Sequence, residues 1–368
     1  MNDRRFSLTI GVLLLACHAR AALPMKTKAL DFTFDGKRLS GVLDLPATTQ
    51  PSAIVIFVHG HGRTDAVAGK WYYDLRSRFA ELGLASYVWD KAGCGRSGGE
   101  YDHGQSVQNG AREVLAAISE LKRRRIAGSQ RIGLWGISRA GWICPLVIEQ
   151  LPTVAFWISV SGTDDKESFG YLLETNLRIE GRSESEARSL AAEWRRGNDV
   201  FRKGGSWEEH QRATRNLRKL RQDPLFKSLM GEEGTEEGYL RDQKAFIAEN
   251  HPFDESSGLM IYVPGFRELL GRIRCPVLAL FGESDSIVNW RRTRSLYKDT
   301  LGSGKNPTLT VRTFPECSHA MQQCKTCGIR EDRESTGGRQ PCHGYYEAMT
   351  SWIKEKGFAR SSGLGGAS

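Results

Sequence analysis

The sequence predicts a doubly wound, mostly parallel α/β sheet with an inserted helical lid, and two observations carry that prediction. Short, continuous apolar runs at 53–58, 85–89, 132–135, 154–160 and 277–281 have the character of strands buried on both faces, as in parallel sheets. They alternate with segments of helical apolar spacing at 71–82 and 108–124. Strand alternating with helix is the pattern of one sheet packed by helices on both sides.

Taken in order, the runs at 29–34 and 39–45 flank Asp35-Gly36, a strong hairpin cue. The strand at 53–58 ends at His59-Gly60-His61-Gly62, and the strand at 132–135 stops at Gly136 with a helix starting just after Ser138. From 164 to 267 the pattern changes: no buried strand is evident before 259–263, and long charged stretches carry Trp194, Leu217, Leu220 and Leu225 at helix-compatible positions. Alternation resumes with the strand at 277–281, a helix near 290–301, a strand at 309–314 and a closing helix at 345–356. The organisation expected is a signal peptide at 1–21, the core at 22–160 and 268–356, a helical lid at 161–267, and a Gly/Ser-rich disordered tail at 357–368.

With 368 residues the chain is long enough for one large α/β domain with an insertion. The net charge of +9 is spread among Asp and Glu, so it reads as a solvated helical surface and not as a nucleic-acid patch. Arg4 and Arg5 precede an apolar stretch at 6–16 that is too short to span a membrane, and Ala19-Arg20-Ala21 offers a cleavage site before Ala22. This pattern points to export, secreted or periplasmic. Leu14-Leu15-Ala16-Cys17 is the alternative, a lipobox that would anchor the protein to a membrane through Cys17. Without Cys17, seven of the eight cysteines remain, and Cys317, Cys324, Cys327 and Cys342 cluster near the C-terminus. In an exported chain they suggest disulfides, for example Cys317–Cys324 or Cys327–Cys342; a four-thiolate zinc site is the rival, and spacing does not give connectivity.

Gly136-Ile137-Ser138-Arg139-Ala140, followed by Gly141, is a G-x-S-x-small pentapeptide between a strand and a helix. That is the layout of a nucleophile elbow, where small neighbours leave room for a strained turn. With the other landmarks in order, the chain resembles the α/β-hydrolase superfamily, in its serine esterase and prolyl-oligopeptidase-like branch, over roughly 30–356. His59-Gly60-His61-Gly62 is similar to a His-Gly oxyanion loop, and the run from Asp90 to Gly99 is similar to a D-x-R-G-x-G-x-S motif, with Ala92 where Arg is common. Gly282-Glu283-Ser284-Asp285 resembles the acid-bearing turn, and His319 follows the last strand.

The resemblance implies a triad of Ser138, Asp285 and His319, with oxyanion donors at the backbone N–H of Arg139 and of His61, no cofactor and no metal. A serine hydroxyl needs a base to take its proton, and the base needs a carboxylate to fix its tautomer. Duller roles remain for each residue. The alternative for Ser138 is an ordinary helix N-cap. Asp285 serves as a cap of the helix from Asn289 with Glu283 as the acid, and His343 competes with His319. His59 and His61 read as structural or oxyanion-loop residues, Trp135, Trp142 and Trp157 as core, and Cys94 and Cys144 as buried thiols. The expected activity is hydrolysis of a small-molecule ester or acyl substrate through an acyl-enzyme. The alternatives are an aminopeptidase or dipeptidyl-peptidase, an acyl thioesterase, and a non-catalytic binding protein on the same core.

Overall fold

The computed structural model describes residues 25–360 apart from 167, 232–233, 255–258, 303–308 and 335–337. The signal peptide expected at 1–21, Cys17 and the tail beyond 360 lie outside the described residues.

The two runs around Asp35-Gly36 form four strands, not two: β1 (Lys26–Ala29), β2 (Phe32–Phe34), β3 (Lys37–Leu39) and β4 (Gly41–Leu45). β2 and β3 pair across the predicted turn as a separate hairpin, while β1 pairs antiparallel with β4 at the sheet edge. The runs break at Asp31, whose carboxylate accepts the Gly41 N–H at 3.1 Å and pairs with Arg38, turning the chain out of the main sheet.

Next come β5 (Ile54–Val58), α1 (Tyr73–Glu81), β6 (Ala85–Trp89), α2 (Val107–Arg123), β7 (Ile132–Ile137), α3 (Ala140–Gln150) and β8 (Phe156–Val160). Every residue of β5, β6, β7 and β8 is buried, as expected of strands covered on both faces.

The insertion contributes α4 (Phe169–Ile179), α5 (Glu184–Arg202), α6 (Trp207–Ala213), α7 (Arg215–Lys219), α8 (Pro224–Met230) and α9 (Glu236–Ala248). Its starts are written in the sequence: the side chains of Ser183, Ser206, Asp223 and Thr235 each accept a backbone N–H at a helix N-terminus. Leu173, Leu177, Ala187, Leu190, Leu217, Leu220 and Phe226 give these helices a small core of their own. The run at 259–263 is not a buried strand of the sheet. β9 (Phe253–Asp254) and β10 (Leu259–Met260) pair only with each other, and Gly265, at φ 65°, turns the chain into α10 (Phe266–Arg272). Phe266, Leu269 and Leu270 of α10 pack into the main core.

The chain closes with β11 (Val277–Gly282), α11 (Trp290–Thr300), β12 (Leu309–Phe314), α12 (Ile329–Glu334) and α13 (Tyr345–Glu355). The main sheet has eight strands in the order β1-β4-β6-β5-β7-β8-β11-β12, parallel from β6 onward. Residues of α2, α3, α10 and α11 build the core on one face, and residues of α1 and α13 build it on the other. Trp135, Trp142 and Trp157 belong to these cores. Among the described residues no helix is long and apolar enough to cross a membrane.

The centre of the sheet leaves no spare volume at the β7–α3 turn. A Cβ on Gly136 would lie 2.7 Å from the Ala140 Cβ and 2.8 Å from the Cys144 Sγ. Overpacking of this kind costs about 1–3 kcal/mol. Gly136→Val is therefore expected to lower the urea midpoint at unchanged slope, whereas Gly181→Val, with no atom near its Cβ position, should show only the strain of its φ of 88°.

Candidate active site

Ser138 lies between β7 and α3 with φ 57°, a left-handed conformation that costs a non-glycine residue about 1–2 kcal/mol. The turn is held from both sides: the Ser138 N–H donates to Val160 O at 2.9 Å, and Gly141 N–H donates back to Ser138 O at 2.7 Å. Close packing explains the small flanks, since a Cβ on Gly141 would meet Thr163 N at 2.6 Å. An N-cap serine has extended backbone and accepts an N–H. Ser138 does neither, and α3 starts without a side-chain cap. The alternative role of helix cap is thus excluded.

The other two predicted residues meet. Asp285, almost wholly buried, accepts from His319 Nδ1 through Oδ2 at 2.8 Å. Its Oδ1 accepts the N–H groups of Ile287 and Val288 at 2.8 and 2.9 Å. Asn289, and not Asp285, caps α11 through the Arg292 N–H. His343, the rival base, is exposed ahead of α13. Burial works to lower the His319 pKa, but the Asp285 carboxylate and, beyond it, Asp332 of α12 outweigh it, so the imidazole is raised above its ordinary value.

Ser138 and His319 hang on consecutive residues at the end of β8. Val160 O takes the Ser138 N–H, and the Ser161 hydroxyl donates to His319 O at 2.8 Å. No hydrogen bond joins the Ser138 hydroxyl to the imidazole among the described residues.

The expected oxyanion donors flank the serine. Gly60 abuts it, a Cβ there falling 3.4 Å from the Ser138 Cβ, and neither His61 N–H nor Arg139 N–H donates a hydrogen bond among the described residues. A cavity beside them is lined by His61, Gly62, Lys91, Tyr101, His103 and Arg139. Partial burial, then His103, Arg139 and Lys91, push the His61 imidazole down to about 4, so it is neutral at pH 7. His59 is buried between Trp71 and Trp89, at 5.1 and 4.9 Å between ring centroids, which suits a structural role. The run after Asp90 is also structural. The Asp90 carboxylate accepts the N–H groups of Val67 and Arg96, and the Ser97 hydroxyl donates to Asp90 O at 2.7 Å. No group of three or more His, Cys, Asp or Glu side chains is placed to hold a metal ion among the described residues.

The expected disulfide pairs are corrected. Cys317 pairs with Cys342 and Cys324 with Cys327, an outer bridge enclosing an inner one. This consumes all four thiolates of the rival zinc site and leaves Cys94, Cys144 and Cys275 free, the first two buried. The chain doubles back inside the loop, where Gln323 N–H donates to Gln340 O and Cys342 N–H to Met321 O, so Cys342 is brought to Cys317. This loop clasps the acid turn: Ser284 N–H donates to Cys317 O at 3.1 Å, and the Ser286 hydroxyl donates to Cys327 O at 2.7 Å. Asn176 of α4 ties both to the insertion, donating to Ser286 O and accepting the Ile329 N–H, while the Tyr171 hydroxyl donates to Asp285 O at 2.9 Å. Sequence reasoning passed over Tyr171, Asn176, Ser161, Asp332 and Lys91. The first four act across long chain separations and leave no local signal. Lys91 stands inside the Asp90–Gly99 run, one of its two cations with Arg96.

Residues 49–164 match the family model described as serine aminopeptidase, S33. That stretch holds His61, Ser138 and Arg139 but neither Asp285 nor His319. Among solved structures the chain is similar to the Pyrococcus furiosus esterase Pf2001, at 14% identity and a TM-score of 0.50 over 90% of this chain and 91% of that one. The chain has the α/β-hydrolase fold. Proline iminopeptidase of Mycobacterium smegmatis, another solved structure, aligns with this chain at 14% identity and a TM-score of 0.49 over 89% and 98% of the two chains. Est1E of Butyrivibrio proteoclasticus with ferulic acid bound aligns at 15% identity and a TM-score of 0.46 over 89% and 97%. No curated protein sequence matches this chain.

If the Cys317–Cys342 bridge holds His319 on Asp285, releasing it should return the imidazole toward its ordinary value. In the Cys317→Ser/Cys342→Ser variant the His319 pKa, followed by NMR titration, is expected to fall while far-UV circular dichroism stays that of the parent protein. An unmoved pKa in the folded variant would count against the bridge.

Proposed function

We propose that the protein is a serine hydrolase that cleaves carboxylic esters through an acyl-enzyme. Ser138 Oγ attacks the ester carbonyl carbon as its proton passes to His319 Nε2, and Asp285 steadies the imidazolium. The carbonyl oxygen, now negative, is taken by the N–H groups of Arg139 and His61, each donor of this kind being worth about 3 kcal/mol of barrier. Collapse expels the alcohol, which takes the proton from His319. Water then attacks the acyl-enzyme along the same route and releases the acid.

The observation that carries the reading is the buried 2.8 Å bond from His319 Nδ1 to Asp285, which leaves Nε2 for the serine. The left-handed Ser138 backbone supports it, because strain of this kind collects at functional sites. The relay requires the Ser138 hydroxyl to turn toward His319 Nε2. A second reading, release of an N-terminal residue from a peptide, is favoured by the description of the matched family and by Glu100 and Asp102. Both are exposed carboxylates lining the cavity, suited to a substrate ammonium. Export is part of the proposal: paired cysteines persist in oxidising compartments, and the basic-flanked apolar start of the sequence agrees.

A fluorophosphonate probe is expected to label the wild type and not Ser138→Ala, whose kcat should fall by about 10⁴-fold or more. Labelling that survives the substitution would overturn the assignment. A series of p-nitrophenyl esters set against aminoacyl amides separates esterase from aminopeptidase. Because the base must be neutral and its pKa is raised, kcat/KM should fall with decreasing pH through a midpoint above the ordinary histidine value.

A further inference from the structure

Lys91 follows β6 by two residues and turns inward beneath the His-Gly loop. Its ammonium donates to Gly60 O at 2.7 Å and to Gly62 O at 2.6 Å, the carbonyls on either side of His61. A trans peptide is planar, and its C=O and N–H point in opposite directions. The Gly60 carbonyl and the His61 N–H belong to one such peptide, and no cis bond occurs among the described residues. Holding that carbonyl on one side therefore fixes where the His61 N–H points on the other. An ammonium on the oxygen also draws charge through the amide and makes the N–H a stronger donor.

We infer that Lys91 is the positioning residue of the oxyanion hole, clamping the carbonyls of Gly60 and Gly62 so that the His61 N–H is aimed at the oxygen that becomes negative. The inference rests on the hydrolase reading above and adds to it a group outside the triad. The adjacent Ala92, where a cation is common in similar motifs, carries no charge, and Lys91 is the cation bonded to the Gly60 and Gly62 carbonyls.

The surroundings give the clamp a pH signature. Burial first, then Arg139 beside the serine, lower the Lys91 pKa to about 8, against the opposing pull of Glu113 on α2 and of Cys94 in its own loop. His59 and His61 face it from the loop after β5. Below about pH 8 the ammonium is charged and the clamp is at full strength. Above it the neutral amine is the weaker donor, and kcat should decline.

The test compares wild type, Lys91→Met and Lys91→Arg on a short-chain p-nitrophenyl ester, with active sites titrated by the fluorophosphonate. Lys91→Met is expected to lose about 10²-fold in kcat with KM changed only a few-fold, the pattern of a weakened oxyanion donor. Lys91→Arg keeps a cation that does not titrate here, so its turnover should persist above pH 8 where that of the wild type declines. Lys91→Met with the kcat of the wild type, or one alkaline limb shared by wild type and Lys91→Arg, would overturn the inference. Should Lys91→Met fail to fold by circular dichroism, the comparison of wild type with Lys91→Arg decides alone. A wild type that neither labels nor turns over would remove the hydrolase reading itself, whereas an active wild type matched by its Lys91 variants would remove only the clamp.

Discussion

The end of β8 is where the site is assembled. Val160 O receives the Ser138 N–H, Ser161 N–H donates to Leu280 O of β11, and the Ser161 hydroxyl holds His319 O. Elbow, acid-bearing strand and base-bearing loop come from three distant parts of the chain, and two consecutive residues fasten them. Both Ser138 and Ser161 pay for this in backbone conformation, with φ of 57° and 45°. Strained residues persist only where packing on every side over-determines them, and fully buried β7 and β8 supply that packing.

On this frame the charges divide into two groups. On one side Asp285, with a smaller contribution from Asp332, holds His319 above its ordinary pKa despite burial. On the other, Lys91 and Arg139 lie near the oxyanion loop, and burial lowers both. A negative charge forming on a substrate oxygen between them would find cations and free N–H groups on one side and a basic imidazole on the other. That is the polarity an acyl-transfer step requires. The disulfide-closed loop and α4 of the insertion brace the acid side, through Cys317, Cys327 and Asn176, so the insertion is joined to the acid turn.

Much of this was legible in the chain, for physical reasons. Strands buried on both faces need unbroken apolar runs, so β5, β6, β7, β8 and β11 stood out. A turn packed as closely as the one at Ser138 admits only small residues, so the elbow was visible as Gly136, Ala140 and Gly141. Order along the chain favoured Asp285 and His319 over Glu283 and His343, and those two side chains meet. Features that depend on contacts between distant residues escaped. The 29–34 run gave no hint that Asp31 would split the N-terminal hairpin. Four cysteines did not reveal a nested pairing that arises because the loop folds back on itself. The apolar run at 259–263 read as a sheet strand, though two-residue pairing and Gly265 end it. Lys91 was overlooked because its role lies in which carbonyls it reaches.

The most direct measurement is a crystal structure of the protein inactivated with a small organophosphonate. The account predicts phosphorus bonded to Ser138 Oγ, with the phosphoryl oxygen about 3 Å from the N–H groups of both Arg139 and His61 and His319 Nε2 turned toward the adduct. Phosphorus on another side chain, or a phosphoryl oxygen directed away from both N–H groups, would contradict it.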